Sequence, residues 1–298
     1  MYHKKCSLEF FNVYPPPNLD IRSELLDEYA QILTGGKVTI PGVQKKLSLG
    51  FSSPDENYKS SRLTVIGLGG GYILKLPTEE FPFLIELEYA TMHLARLFEI
   101  QTVPFALLPM QNGDLAYITR RIDRVHSTGE KIPMEDFCQI MERLTEDKYK
   151  GSLESIGKRI KSTSIYSVLD VYNFFVVNLF SWIIGNSDMH LKNFSMYLTK
   201  EGQRLTPAYD LLATQILLPE DKEEVALTLN GKKAKLNKKD WYLFAENIGI
   251  TEKTREKLWA RVRKIMPTLI ESISEYPLPI VVQDKWKKLI LERWDLIL

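Results

Sequence analysis

Cysteine is scarce in this sequence of 298 residues: only Cys6 and Cys138, far apart and without metal-ligating neighbours. That excludes a disulfide framework and fits a reducing cytoplasm. Long apolar runs are missing too. The most apolar stretch, Tyr172 to Gly185, is broken by Asn173 and Asn178 and falls short of the roughly 20 residues of a membrane span. It reads as a buried helix, and no membrane association is expected. The start Met1-Tyr2-His3-Lys4-Lys5 is basic, but no apolar run of signal-peptide length follows it. Charge of one sign is absent: 39 basic against 38 acidic residues leave a net +1, so composition offers no attraction to nucleic acid. The four histidines, His3, His93, His126 and His190, show no zinc-ligand spacing. What remains, 44% hydrophobic and 26% charged, is ordinary for a globular protein large enough for two lobes.

Along the chain, residues 1–20 read as irregular because of Pro15-Pro16-Pro17. Ser23 to Thr34 reads as a short helix stopped by Gly35-Gly36. Strand-like runs follow at Lys45 to Phe51, Ser61 to Ile66 and Tyr72 to Leu76, the last two read as a hairpin around Gly67-Leu68-Gly69-Gly70-Gly71. Ile85 to Phe98 has a helical period. Phe105 to Leu108 and Leu115 to Thr119 form a second expected hairpin, turning at Asn112-Gly113. Beyond about residue 120 the pattern becomes mostly helical, with expected helices at Met134 to Leu144, Ser164 to Ile184, Asp240 to Asn247, Glu252 to Ser274 and Gln283 to Leu298. The expected organisation is a strand-rich unit over 1–120 and a helical unit over 121–298. The basic run Lys232, Lys233, Lys235, Lys238 and Lys239 reads as a solvated turn and helix start rather than a phosphate patch.

The chemistry concentrates in Gly185-Asn186-Ser187-Asp188-Met189-His190-Leu191-Lys192-Asn193-Phe194. An Asp followed five residues later by an Asn is the spacing at which a kinase catalytic loop keeps its proton-accepting Asp and a magnesium-binding Asn. A second acid follows at Asp210, where a kinase holds metal against the ATP phosphates. Magnesium completes its shell with phosphate oxygens and water, so Asn193 and Asp210 suffice as protein ligands. Upstream, Lys75 is the one lysine of an apolar strand and a candidate phosphate ligand, against the plainer reading of a solvent-facing edge lysine. Glu88, or Glu86, on the following helix is its candidate partner. Lys192 either neutralises the migrating phosphoryl group or covers surface, and His190 either orients the loop or is structural. Gly67 to Gly71 lacks the helix and Lys-Ser/Thr pair of a Walker loop.

Taken together, these residues resemble the HipA-like serine/threonine kinases, the toxins of bacterial toxin–antitoxin systems. Thr39-Ile40-Pro41-Gly42-Val43-Gln44-Lys45-Lys46-Leu47-Ser48 resembles the family's phosphate-side gatekeeper loop, and Ile73 to Pro77 its ATP-lysine strand. Glu86 to Ala90, the hinge-like Ile118 to Arg124, Glu135 to Gln139, Gly185 to Phe194 and Leu205 to Asp210 complete an ordered set over roughly 36–231. The resemblance implies an α+β, two-lobed protein-kinase-like fold with a strand-rich N-lobe and a helical C-lobe. It implies ATP and Mg²⁺ as cofactors. Thr39, Gly42, Val43, Gln44 and Lys75 would then face the nucleotide, and the backbone of Arg120 and Ile122 would hold the adenine. Asp188 would be catalytic with His190 and Lys192 beside it, and Asn193 and Asp210 would carry the metal.

The family phosphorylates its own gatekeeper serine, and a dianionic group there would be repelled from ATP phosphates. Here Thr39 stands at that position, with Pro41 two residues on. Full-length HipA has an additional N-terminal subdomain, whereas these motifs begin at residue 39, as in the short HipT-type kinases. That implies a separate small HipS-like protein and a HipB-like DNA-binding antitoxin as partners, with no direct nucleic-acid binding by this chain. An aminoacyl-tRNA synthetase is the implied substrate. Two other readings remain: an inactive kinase-fold neutralising protein, and a small-molecule kinase.

Overall fold

A computed structural model describes residues 3–19, 46–52, 62–65, 70–110, 112–126 and 128–297. The expected helix over 23–34, the gatekeeper residues Thr39, Gly42, Val43 and Gln44, and the loop tip 67–69 lie outside the described residues. The chain divides into two compact units, one of Met1–Ile85 with Val103–Lys131, the other of Glu86–Thr102 with Ile132–Leu298.

In the first unit, strands β1 (Asn18–Leu19), β2 (Lys46–Ser52), β3 (Arg62–Val65), β4 (Tyr72–Lys75), β5 (Phe105–Pro109) and β6 (Leu115–Arg120) form one sheet in the order β1-β3-β2-β4-β6-β5. The expected β3–β4 hairpin is therefore a correction: β2 lies between them and pairs antiparallel with both. Two strands adjacent in sequence with a Gly-rich link look like a hairpin, yet the sheet is completed by a strand from farther back. The β5–β6 hairpin forms as expected, closed by Met110 N–H donating to Asp114 O at 2.8 Å, with Gly113 at φ +91°.

The N-terminus is a second correction. Lys4–Phe11 is a helix, α1, ended by Asn12 in the left-handed region. Phe10 and Phe11 join Leu47, Leu49, Leu63, Tyr72, Leu74 and Ile118 in the core of the sheet's unit. Phe11 lies 4.7 Å from Phe10 and 5.8 Å from Tyr72 between ring centroids. Burying such a ring contributes about 1.5–3 kcal/mol, enough to order a short helix that the nearby prolines obscured.

Helix α2 (Leu84–Leu97) follows β4 and lies almost entirely in the second unit. That unit continues through β7 (Met134–Asp136), α3 (Phe137–Ile140), α4 (Leu153–Thr163), α5 (Ser167–Ile184), β8 (Ser195–Thr199), β9 (Gly202–Leu205), α6 (Thr214–Leu217), α7 (Lys238–Ile248), α8 (Glu252–Ser272) and α9 (Ile280–Asp295). Helix α5 is central. Among the described residues it is the helix long and apolar enough to cross a membrane, but 72% of it is buried within the protein itself. Its buried Asp170 pairs with Arg204 on β9 at 2.9 Å and accepts from Leu205 N–H at 2.9 Å.

The expected helix Met134–Leu144 is corrected to a short strand and a single helical turn. Asp136 accepts the Gln139 N–H at 3.0 Å while the Gln139 side chain accepts from Asp136 N–H at 3.0 Å. That reciprocal cap starts α3 at Phe137 and frees 134–136 to pair with β8. The antiparallel sheet β7-β8-β9 had no sequence counterpart, its strands being short and half polar. The basic run behaves as a solvated turn: Lys232 pairs with Asp240 at 2.7 Å and Lys233 with Glu223 at 3.0 Å.

Candidate active site

The loop that carries the candidate catalytic residues begins where α5 ends. Gly185 adopts φ +84°, the left-handed cap that lets the chain turn sharply. Asn186 Oδ1 accepts the Asp188 N–H at 3.1 Å, an Asx turn that fixes the backbone at Asp188. A 3₁₀ turn over Leu191–Asn193 then closes the loop, and the Asn193 Oδ1 accepts the His190 N–H at 3.1 Å. The five-residue spacing thus folds back on itself, and Asp188, His190, Lys192 and Asn193 come from one compact loop.

Asp188, His190 and Lys192 are each tied down from outside the loop. The Tyr149 hydroxyl donates to Asp188 Oδ1 at 2.7 Å, and burial together with that carboxylate raises the phenol's pKa well above its ordinary value. Tyr149 also meets the His190 ring edge-on at 5.2 Å. Burial pushes the His190 imidazole below its usual pKa, against the opposing pull of Asp188 and Asp210. Its Nδ1 finds no hydrogen-bond partner among the described residues. Lys192 pairs with Asp136 at 2.6 Å, so its ammonium is anchored to the cap of α3.

Tyr209 couples the loop to the second acid. Its hydroxyl donates to Lys192 O at 3.0 Å and lies 2.6 Å from Ser195 Oγ. Its neighbour Asp210 is half-buried at φ +59°, in the left-handed region. A non-glycine residue there is uncommon and marks a backbone that surrounding structure holds in place, as at functional sites.

The floor of the loop is held by residues far downstream. Trp286 Nε1 donates to Ile184 O at 2.8 Å, and Arg293 donates to Trp182 O and to Gln215 Oε1. Burial lowers the Arg293 pKa to about 10. Ser187 is fixed by Thr214, whose Oγ1 accepts its N–H at 2.9 Å, and by Asp221, whose Oδ2 accepts from its Oγ at 2.8 Å. A Cβ at Gly185 would overlap the Leu289 side chain. Gly185→Ala is therefore expected to lower stability by about 2–4 kcal/mol, from left-handed strain and overpacking together. Urea unfolding of the variant checks this, and an unchanged midpoint would contradict the tight seat.

Lys75, Arg120 and Ile122 belong to the first unit, and Glu88 to the second. Lys75 is 5% exposed at the end of β4, and its ammonium lies 5.5 Å from the centre of the Tyr117 ring across the sheet. Glu88 is 1% exposed on α2, whereas Glu86 is half-buried. The Arg120 N–H already donates to Pro104 O at 3.0 Å. Sequence reasoning missed Tyr149, Tyr209, Asp136, Trp286 and Arg293. Only Tyr209, beside Asp210, and Asp136, in the run 135–139, carried any local signal.

Asn193 and Asp210 offer one amide and one carboxylate oxygen, hard donors of the kind magnesium takes. The Asn193 oxygen accepts one hydrogen bond and keeps a second lone pair. The buried Asn186 Nδ2 and His190 Nδ1 add polar atoms with no partner among the described residues. In donor chemistry these residues are of the kind a metal–phosphate group takes.

Comparison with known proteins bears on this geometry. Residues 38–270 match the family described as HipA-like C-terminal domain. The protein named "Putative kinase Y4dM" of Sinorhizobium fredii is 33% identical over 231 residues, covering 73% of this chain and 55% of that protein. The serine/threonine-protein kinase toxin HipA of Shewanella oneidensis is 24% identical over 198 residues, 60% of this chain and 44% of the toxin. The chain thus spans about half the length of the curated relatives it matches. A solved Shewanella oneidensis HipA, in complex with HipB and operator DNA, superposes with a TM-score of 0.68 at 20% identity, over 86% of this chain and 64% of that one. That likeness shows an α+β, protein-kinase-like fold. With the match extending over most of its length, the chain belongs to the HipA-like C-terminal domain family.

Proposed function

We propose that the chain is an ATP- and magnesium-dependent protein kinase that phosphorylates serine or threonine. The observation that carries this reading is the loop itself: Asp188 held by Tyr149, Asn193 folded back on His190, and Asp210 set in a strained backbone conformation beside Tyr209. Asp188 orients the acceptor hydroxyl and takes its proton. The hydroxyl oxygen bonds to the γ-phosphorus as the bond to the bridging oxygen breaks, and ADP leaves. Asn193 and Asp210 would hold the magnesium ion, which would neutralise phosphate charge when bound. His190, packed against Tyr149, keeps the loop in shape. Lys192, paired with Asp136, supports the loop's far side. Lys75 steadies the α/β-phosphates, and Arg120 and Ile122 flank the adenine.

Within the same reading, the chain acts in the cytoplasm as the toxin of a toxin–antitoxin system. Its substrate is an aminoacyl-tRNA synthetase, whose phosphorylation halts translation. Gly42, Val43 and Gln44 line the phosphate side of the nucleotide, and Thr39 is the autophosphorylation candidate. The partners are a HipS-like protein and a HipB-like antitoxin. HipB accompanies the Shewanella oneidensis protein on operator DNA, and with a net charge of +1 here, contact with DNA falls to the partner. The test is transfer of labelled γ-phosphate from ATP, with Mg²⁺, to a panel of purified synthetases. Label on a serine or threonine of one of them is expected. Label confined to small-molecule acceptors, or to nothing, contradicts the reading. Lys75→Ala is expected to weaken nucleotide binding about 10- to 100-fold, from loss of a charge-assisted bond to phosphate. Titration with a non-hydrolysable ATP analogue checks this, and an unchanged affinity would make Lys75 merely structural.

A further inference from the structure

Next to the loop, and separate from the phosphate-handling residues, the second unit carries an open groove of about 770 Å³ between the end of α3 and the outer face of α4. Arg143, Lys150, Lys158 and Arg159 line it, against Glu142 as the single acidic side chain. Lys150 pairs with Asp147 at 2.6 Å. Arg143, Lys158 and Arg159 are exposed and have no ion-pair partner among the described residues. A chain of nearly balanced charge thus gathers unpaired cations in one concavity. Such clustering raises the local concentration of anionic partners and sets orientation more than raw affinity.

The groove is wired to the base. Lys150 adjoins Tyr149, whose hydroxyl touches Asp188, and Lys148 O accepts the Leu191 N–H from the catalytic loop at 3.1 Å. Gly151, which lines the groove, lies close enough to the catalytic loop that a Cβ there would meet the Leu191 side chain at 3.8 Å, so the groove adjoins the loop that carries Asp188. Arginine forks match carboxylates in pairs. Ser155 adds a hydroxyl to the lining. The groove is open to solvent rather than enclosed, so it can take an extended segment. Exposed Glu142 and Glu146 interrupt any longer positive stripe.

We propose that this groove seats an acidic segment of the polypeptide substrate, flanking the serine or threonine presented to Asp188. The inference rests on the kinase reading for its purpose, but its test does not depend on phosphoryl transfer. The probe is a fluorescein-labelled peptide with a serine flanked by glutamates, titrated without ATP against the full chain by fluorescence anisotropy. The glutamine-substituted peptide and a single-stranded oligonucleotide serve as comparisons. The triple variant Arg143→Ala/Lys158→Ala/Arg159→Ala alters exposed side chains only. It is expected to bind the glutamate peptide about tenfold more weakly, and the glutamine peptide is expected to bind wild type no better than that. Equal affinity of wild type and triple variant, equal affinity for the two peptides, or a preference for the oligonucleotide would overturn the inference. Peptide binding by wild type and by Asp188→Asn, with no transfer from ATP by wild type to any synthetase of the panel, would overturn the kinase reading and leave the groove standing.

Discussion

Replacing Asp188 by Asn is expected to lower phosphoryl transfer by about 10²–10⁴-fold, the range of a positioned general base, while leaving the fold and nucleotide binding intact. The amide keeps an oxygen for the Tyr149 hydroxyl now donated at 2.7 Å, and the Asn186 turn bonds the backbone rather than the side chain. What is removed is the negative charge and the capacity to take a proton. Kinetics with saturating ATP, alongside circular dichroism, check this. A variant transferring phosphate at near wild-type rate would remove Asp188 from the chemistry.

Asp210→Asn is expected to cost about 10²–10³-fold in turnover, since a bound metal contributes several kcal/mol of charge stabilisation and each 1.36 kcal/mol is a decade in rate. Asn tolerates the left-handed backbone that Asp210 adopts at φ +59°, so the substitution tests charge rather than conformation. A magnesium titration separates the two. The variant is expected to need a higher Mg²⁺ concentration for half-maximal rate. An unshifted midpoint with wild-type turnover would mean that Asp210 holds no metal. Tyr209 beside it, bonded to Lys192 O and Ser195, keeps the loop in place in either case.

The parts of this site that were legible in sequence are those built from local bonds. Asp188 and Asn193 share one turn, closed by hydrogen bonds spanning two or three residues, so their spacing carries the geometry. Tyr149, 39 residues before Asp188, and Trp286, 102 residues after Ile184, act through contacts that no local pattern encodes. The fold divides the same way. The β5–β6 hairpin announces itself through Asn112-Gly113, whereas β2 entering between β3 and β4 depends on pairing across the chain. The expected helix over 134–144 failed because apolar periodicity continued through a point where the Asp136–Gln139 cap starts the helix afresh. Helix α1 was hidden because its stability comes from Phe10 and Phe11 in a core that forms elsewhere.

The most direct measurement is the intact mass of purified wild type and Asp188→Asn after incubation with ATP and Mg²⁺, with the synthetase panel in the same reaction and every phosphopeptide mapped. The expected result is phosphate on a serine or threonine in the wild-type reaction, on Thr39 or on a synthetase, and none with the variant. Phosphate appearing equally with both proteins, or with neither on any component, would contradict a kinase centred on Asp188.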